Sequence, residues 1–359
     1  MAFQLSPGVN VSEVDLTTVV PSVLTTAGAL AGYLPWGPAQ TIYTLTDEVS
    51  MVQRFAPQGP DANSAVTFFT ASSFLSYGNN LQFVRTVGTN DYNATSNTGS
   101  LQILNAQDFQ YNYLNSGAGN TYGSFVARYP GALGNSIQVD VFDSANSTLF
   151  AAASFTSGNV NRDWNTIVNA APTTSSYASS RGGANDEFHI VVTDAGGLIT
   201  GTKGTILETY AFVSKASDAE INGATNYWKQ VLFNNSSYVQ GMDAVDYANT
   251  HTTWGQTANG TTFARIGNTV TGATTITLLH GTDDVATDAN ITNGYSLFTN
   301  KETTDISLVL TGGADITVQQ YVIDNISTSR MDCVAFISDR KSTRLNSSHT
   351  DISRMPSSA

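Results

Sequence analysis

The sequence has almost no cysteine. A single one, Cys333, in 359 residues rules out an internal disulfide and any metal centre built on several thiolates; it is read as a buried core residue. Charge is sparse as well. Charged side chains make up 12% of the chain, and 28 acidic residues against 15 basic ones give a formal net charge of −13. That balance argues against a broad basic face for nucleic acid, because phosphate recognition needs clustered Lys and Arg. No window holds the roughly 18 consecutive apolar residues of a membrane helix. No secretory signal is read ahead of the first strand, so the expectation is a cytosolically made protein that inserts in no membrane.

The residues of catalysis are scarce too. His189, His251 and His280 have no second histidine or carboxylate at zinc-type spacing, and no HExxH occurs. Neither the GxSxG turn that exposes a nucleophilic serine nor the GxxxxGK[ST] loop that cradles phosphate is present. Asp283, Asp284 and Asp288 lack the alternation and glycine of a calcium loop and are read as turn acids. The sequence therefore assigns no catalytic residue, no cofactor-binding residue, no metal ligand and no cofactor, and the chain is read as not an enzyme.

What is abundant is Thr, Asn, Ser, Gly and Val, the composition of a β-rich chain with many turns. The length suits about two domains. At the N-terminus, Ser6-Pro7-Gly8-Val9-Asn10-Val11-Ser12-Glu13-Val14 pairs a turn dipeptide with a short alternating strand that needs an edge to pair with. Residues 25–34 (TTAGALAGYL) are a small-residue apolar strand that lets another element approach closely, closed by the forced turn Pro35-Trp36-Gly37-Pro38. Thr46 is expected to cap a helix carrying Val49, Met51, Val52 and Phe55. A second helix is expected from about Ser64 to Tyr77, with Ala65, Phe68, Phe69, Ala71, Phe74 and Leu75 on one broad stripe. The strand Leu81–Val87 then completes an α/β pattern.

From Gly88 to about Tyr122 the composition turns polar and Gly-rich, which marks a domain boundary or an insertion. Beyond it, Ile137–Phe142 alternates strictly, and Phe188–Thr193 with Thr205–Val213 reads as a hairpin. Asp218–Val231 reads as a helix followed by an edge strand. Thr275–Leu279 returns to strand character. The last portion is again α/β: a helix around Asn293–Lys301, a buried strand Ile306–Leu310, a helix Asp315–Ile326 and a second buried strand Cys333–Ile337. From about Asp339 the chain resembles the translation of a sequencing-library adapter, so residues 339–359 are set apart as non-native, and the natural protein is expected to continue past Ser338.

Several segments, in order, resemble one family, the tail sheath proteins of contractile-tail bacteriophages of the T-even-like type. They are Leu5-Ser6-Pro7-Gly8-Val9, Thr26–Gly32 with Trp36-Gly37-Pro38-Ala39, Phe74–Leu81 with Val84-Arg85, Tyr129-Pro130-Gly131-Ala132-Leu133-Gly134-Asn135, Gly294–Phe298 and Asp332-Cys333-Val334. The resemblance implies an α+β or α/β multidomain fold, with a discontinuous α/β core, an inserted β-rich domain and an extended N-terminal arm. On that plan residues 1–19 are the arm for strand exchange between subunits. Residues 20–88 and 293–338 are the two parts of the core, the second cut short, and 89–292 the outer insertion.

The assembly-arm residues implied are Ser6, Pro7, Gly8, Val9, Val11 and Val14. The motif residues with a structural role are Trp36, Gly37, Pro38, Tyr129, Pro130, Gly131 and Gly134. The resemblance further implies stacked hexameric rings around a tail tube protein, with baseplate and tail terminator proteins as further partners and no direct nucleic acid. Such a sheath is assembled in the host cytoplasm, resides in the virion tail and contracts to drive the tube through the host envelope for genome delivery. Two other readings stand beside it: a fibre or baseplate module that binds surface carbohydrate through the Asn/Thr/Tyr-rich middle, and a hydrolase with a dispersed triad.

Overall fold

The computed structural model describes residues 26–57, 59, 61–114, 119–242, 253–265 and 272–338. The arm residues Ser6 to Val14, His251 and the 339–359 segment lie outside the described residues. The architecture is mixed α+β, with several sheets and two principal sheet-based units.

The first sheet runs β15-β14-β1-β3-β2, built from β1 (Gly28–Gly32), β2 (Ile42–Leu45), β3 (Leu81–Arg85), β14 (Leu308–Leu310) and β15 (Val334–Phe336). All neighbours are parallel except β2, which returns antiparallel on β3. Parallel strands need cover on both faces, and here the two faces carry different clusters. On one, α1 (Glu48–Phe55) and α2 (Ala62–Leu75) bury Met51, Phe55, Phe68, Ala71 and Leu75 against Leu30, Leu81 and Phe83. On the other, the helices Asp288–Ser296 and Ile316–Val322 bury Tyr295, Val318 and Val322 against Ala29, Ala31, Val84 and Val309. Each fully buried side chain of this size contributes about 1.5–3 kcal/mol.

The small residues of β1 do what their size permits. A Cβ at Gly28 would sit 2.7 Å from the Phe74 ring, and one at Gly32 would sit 2.5 Å from Thr67. On the opposite face Gly294 comes so close that its Cβ would meet Thr86 at 2.6 Å. Helices thus press on the central strand from both sides at distances that a larger residue forbids.

The second sheet is antiparallel, in the order β13-β5-β8-β9: β5 (Ile137–Phe142), β8 (Glu187–Asp194), β9 (Thr205–Ser214) and β13 (Ala273–Thr277). One face packs Val139, Val141, Ile190 and Val192 with Trp228 and Leu232, and the other packs Phe142 and Val191 against Phe150, Phe155 and Trp164. Smaller pairs surround it: β4 (Phe125–Ala127) with β12 (Val239–Gly241), β6 (Ser154–Ser157) with β7 (Val160–Asp163), and β10 (Glu220–Ile221) with β11 (Ala224–Thr225).

Several expectations shift in position. The first helix is capped by Asp47 rather than Thr46, and the second, expected from about Ser64, starts at Ala62 behind the cap Asp61; each cap accepts the backbone N–H three residues on, which places both helix starts. Phe69, expected on the buried stripe of α2, is 57% exposed. The helix expected around Asn293–Lys301 begins earlier, at Asp288, behind the cap Thr287. The Asp218–Val231 segment opens with the β10–β11 hairpin, turning on Asn222-Gly223, and its helix begins only at Trp228. Val334–Phe336 forms the expected strand but lies at a sheet edge, with Val334 60% and Phe336 54% exposed. Among the described residues no helix is long and apolar enough to cross a membrane.

Candidate functional site: a joint between two sheets and an open sheet edge

Arg85 ends β3 with no exposed surface. Its guanidinium donates to three backbone carbonyls: Nε to Leu34, Nη1 to Gly37 at 2.9 Å and Nη2 to Pro130 at 2.8 Å. Burial pulls its pKa below the ordinary arginine value, while the nearby charges of Asp91 and Asp283 act in the opposite direction. A buried cation is tolerated only when its donors are satisfied. Here a planar fork with fixed donor directions meets carbonyls from two separate turns.

Those turns are Trp36-Gly37-Pro38 and Tyr129-Pro130-Gly131. Trp36 and Tyr129 meet edge to face, with ring centroids 5.4 Å apart. Gly131 has φ 135°, and a Cβ there would lie 2.7 Å from the Pro35 carbonyl oxygen. Gly37 has φ 101°, and its Cβ would lie 2.4 Å from Phe55. Gly134 packs its backbone against Ala127 and Ala94. Asn135 exchanges two hydrogen bonds with Gly281, both 2.8 Å, and the Asp283 carboxylate accepts the Ala132 N–H at 2.7 Å. The structure therefore gathers Trp36, Gly37, Tyr129, Pro130, Gly131 and Gly134 at one place, where the parallel sheet meets the antiparallel unit.

Asp91 joins the same place. Its carboxylate accepts the N–H of Gly88 at 2.6 Å and the N–H of Asp284, and burial pushes its pKa up to about 6 against those bonds and Arg85. Sequence reasoning gave no role to Arg85 or Asp91. Their partners are mostly main-chain groups, which leave no residue-type trace.

The second feature is the edge strand β15. Leu308 faces Val334 and Leu310 faces Phe336 in register. Leu310 packs at the margin of the α2-side cluster, whereas Val309 and Ala335 belong to the opposite one. Val334, Phe336 and the following Ile337, 51% exposed, leave an apolar ledge along this edge. Among the described residues no strand pairs with the outer side of β15.

His189 of β8 is fully buried, and both its ring nitrogens are engaged: Nδ1 accepts the Phe212 N–H at 3.0 Å and Nε2 lies 2.9 Å from the Ala170 carbonyl. Phe212 has φ 55°, and the β8–β9 register shifts beside His189. The imidazole thus holds a β-bulge, as a sheet residue. Cys333 is a buried free cysteine. Among the described residues no group of three or more His, Cys, Asp and Glu side chains is placed to hold a metal ion.

No family model matches the chain. Curated relatives do. The tail sheath protein of Salmonella phage ViI is 28% identical over 207 residues, which is 57% of this chain and 28% of that protein. The tail sheath protein of Enterobacteria phage T4 is 42% identical over 83 residues, 23% of this chain and 12% of that protein. That of Vibrio phage KVP40 is 33% identical over 105 residues, 29% of this chain and 15% of that protein. The matches thus span between 12% and 28% of these relatives' lengths. Among solved structures, the sheath tail protein Lin1278 of Listeria innocua aligns with a TM-score of 0.42 and 12% identity, over 86% of this chain and 45% of that one. A sheath tail protein of Desulfitobacterium hafniense aligns with a TM-score of 0.41 and 11% identity, over 93% and 56%. By sequence, the chain is similar over part of its length to the tail sheath proteins of these three phages.

Proposed function

We propose that the chain is a structural, non-enzymatic subunit of a contractile phage tail sheath. In this reading subunits stack as hexameric rings around a tail tube, between baseplate and terminator proteins. They assemble in the host cytoplasm and contract to drive the tube through the host envelope. The observation that carries the proposal is the 42% identity over 83 residues to a tail sheath protein. A discontinuous core of residues 20–88 and 293–338, with 89–292 inserted, is supported by the parallel hydrogen bonding of β1 to both β3 and β14.

Assembly proceeds by strand addition: the arm Ser6–Val14 of one subunit pairs with the sheet edge of its neighbour. The β15 edge is the acceptor in this proposal. Support comes from its outer side, unpaired among the described residues, and from Val334, Phe336 and Ile337, which form the kind of exposed apolar edge that folded proteins otherwise blunt. The Arg85 joint has the complementary role of keeping the two sheets rigid with respect to each other, so that force applied to one unit moves the other.

Negative-stain electron microscopy of the protein expressed from its gene tests the reading. Rings or tubes of regular diameter are expected. A protein that remains monomeric at every concentration and salt contradicts it.

A further inference from the structure

A cleft of about 500 Å³ opens where β1 and β14 end, between the starts of α2 and the helix Asp288–Ser296. β1 and β14 are adjacent parallel strands, but the chain leaves β1 toward β2 and β3 on one side and comes back to β14 on the other. Such a reversal of strand order leaves a crevice outside the carboxyl ends of the strands, where open α/β sheets take ligands.

The chemistry of this crevice is one-sided. Asp61, Asp283, Asp284, Asp288 and Asp315 line it, and no lysine, arginine or histidine does so among the described residues. Asp61 and Asp315 each use one oxygen on a helix-start N–H, of Ser64 at 2.8 Å and of Ile316 at 2.6 Å, and Asp283 uses Oδ1 on Ala132. Each keeps a second oxygen. An independent feature points the same way. Tyr33, which also lines the cleft, is only 7% exposed, and its hydroxyl has no hydrogen-bond partner among the described residues. Burial and the neighbouring Asp283 raise its pKa, so the phenol stays neutral and adds no negative charge.

We propose that this cleft is a socket for a guanidinium group, an arginine side chain presented by another protein chain. The lining offers carboxylate oxygens spread around a volume far larger than a metal ion, with a phenol oxygen among them. A flat cation with five donors can reach several such acceptors at once, whereas a compact ammonium cannot. Leu30, Val66 and Ile291 give the arginine stem an apolar wall. This inference stands on the chemistry of the cleft and does not rest on the sheath reading, which tube formation tests separately.

The test uses the intact protein and the peptide acetyl-Ala-Arg-Ala-amide, followed by amide shifts of Gly32, Tyr33, Gly312 and Gly313 in NMR. Saturable shifts at these positions are expected, with binding about tenfold weaker for the lysine peptide and absent for the citrulline peptide, which keeps the shape without the charge. The double variant Asp283→Asn, Asp288→Asn should weaken binding by about tenfold or more. The citrulline comparison on the wild-type protein decides the matter even if that variant fails to fold. Equal binding of arginine and citrulline peptides overturns the proposal. So does a response to calcium or magnesium chloride alone with none to the arginine peptide.

Discussion

The Arg85 guanidinium reaches the Pro130 carbonyl at 2.8 Å, from the end of one sheet to a turn that belongs to the other. With its bonds to Leu34 and Gly37 it fixes two turns to β3 through a single side chain. Arg85→Ala leaves three carbonyls without their donor and should cost about 3 kcal/mol or more in chemical denaturation. Arg85→Lys keeps the charge but has one nitrogen where three were bonded, and should recover only about half of that loss. A change under about 0.5 kcal/mol in Arg85→Ala, the range of ordinary surface substitutions, contradicts the clamp.

Trp36 and Tyr129 share the joint, and their contact should be measurable apart from burial. A double-mutant cycle with Trp36→Leu and Tyr129→Leu is expected to give a coupling of about 0.5–1.5 kcal/mol. Additive losses would mean that the rings merely fill space side by side.

Gly131 has both a positive φ and the Pro35 carbonyl oxygen 2.7 Å from where a Cβ would stand. Gly131→Ala should therefore destabilise the protein by at least about 1–3 kcal/mol, the range for a strained backbone position. Gly201→Ala provides the contrast: it also has positive φ, at 80°, but nothing lies within 4 Å of its Cβ, so it should cost less. Equal losses in the two variants would remove the close approach as the cause.

The buried imidazole makes stability depend on pH. His189 is pushed down to about 4 by desolvation, whereas the unfolded chain binds that proton near 6.5. A group whose folded pKa is depressed in this way contributes fully above the unfolded value. Its contribution is lost as pH falls from 6.5 toward 4, by up to about 3 kcal/mol. Asp140 and Asp91, both raised to about 6, change in the opposite sense across part of that window. The difference between wild type and His189→Gln in urea denaturation isolates the histidine. It should grow with pH from 4 to 6.5 and be flat above; a pH-independent difference contradicts the assignment.

Much of the fold was legible because it rests on side-chain size and alternation. Ile137–Phe142 alternates and became β5, and the glycines and alanines of 28–32 foretold a strand that another element approaches closely, though not its central place or the approach from both faces. Less legible was anything decided by what lies alongside. Val334–Phe336 is apolar enough for a buried strand, and it is an edge only because no further strand among the described residues lies beside it. The hairpin before Trp228 did carry a local signal in Asn222-Gly223, a dipeptide that favours both central positions of a tight turn with φ > 0. The joint was half visible: its tryptophan, tyrosine and glycines belong to the motif turns, but the arginine that binds them acts through carbonyl groups common to every residue.

Assembly should be separable from folding. Val334→Asp with Phe336→Asp places two charges on the exposed β15 ledge, where neither side chain belongs to the core. The melting temperature should change little, and rings or tubes should be lost. Tubes that persist with both charges in place would exclude β15 as the acceptor edge.

The most direct test of the central claim is electron microscopy of the protein lacking residues 1–14 beside the intact protein, with circular dichroism melts of both. Strand exchange through the arm requires that the deleted protein keep its melting temperature while stacked rings disappear. If the deleted protein still forms the same tubes, subunits are not joined by that arm.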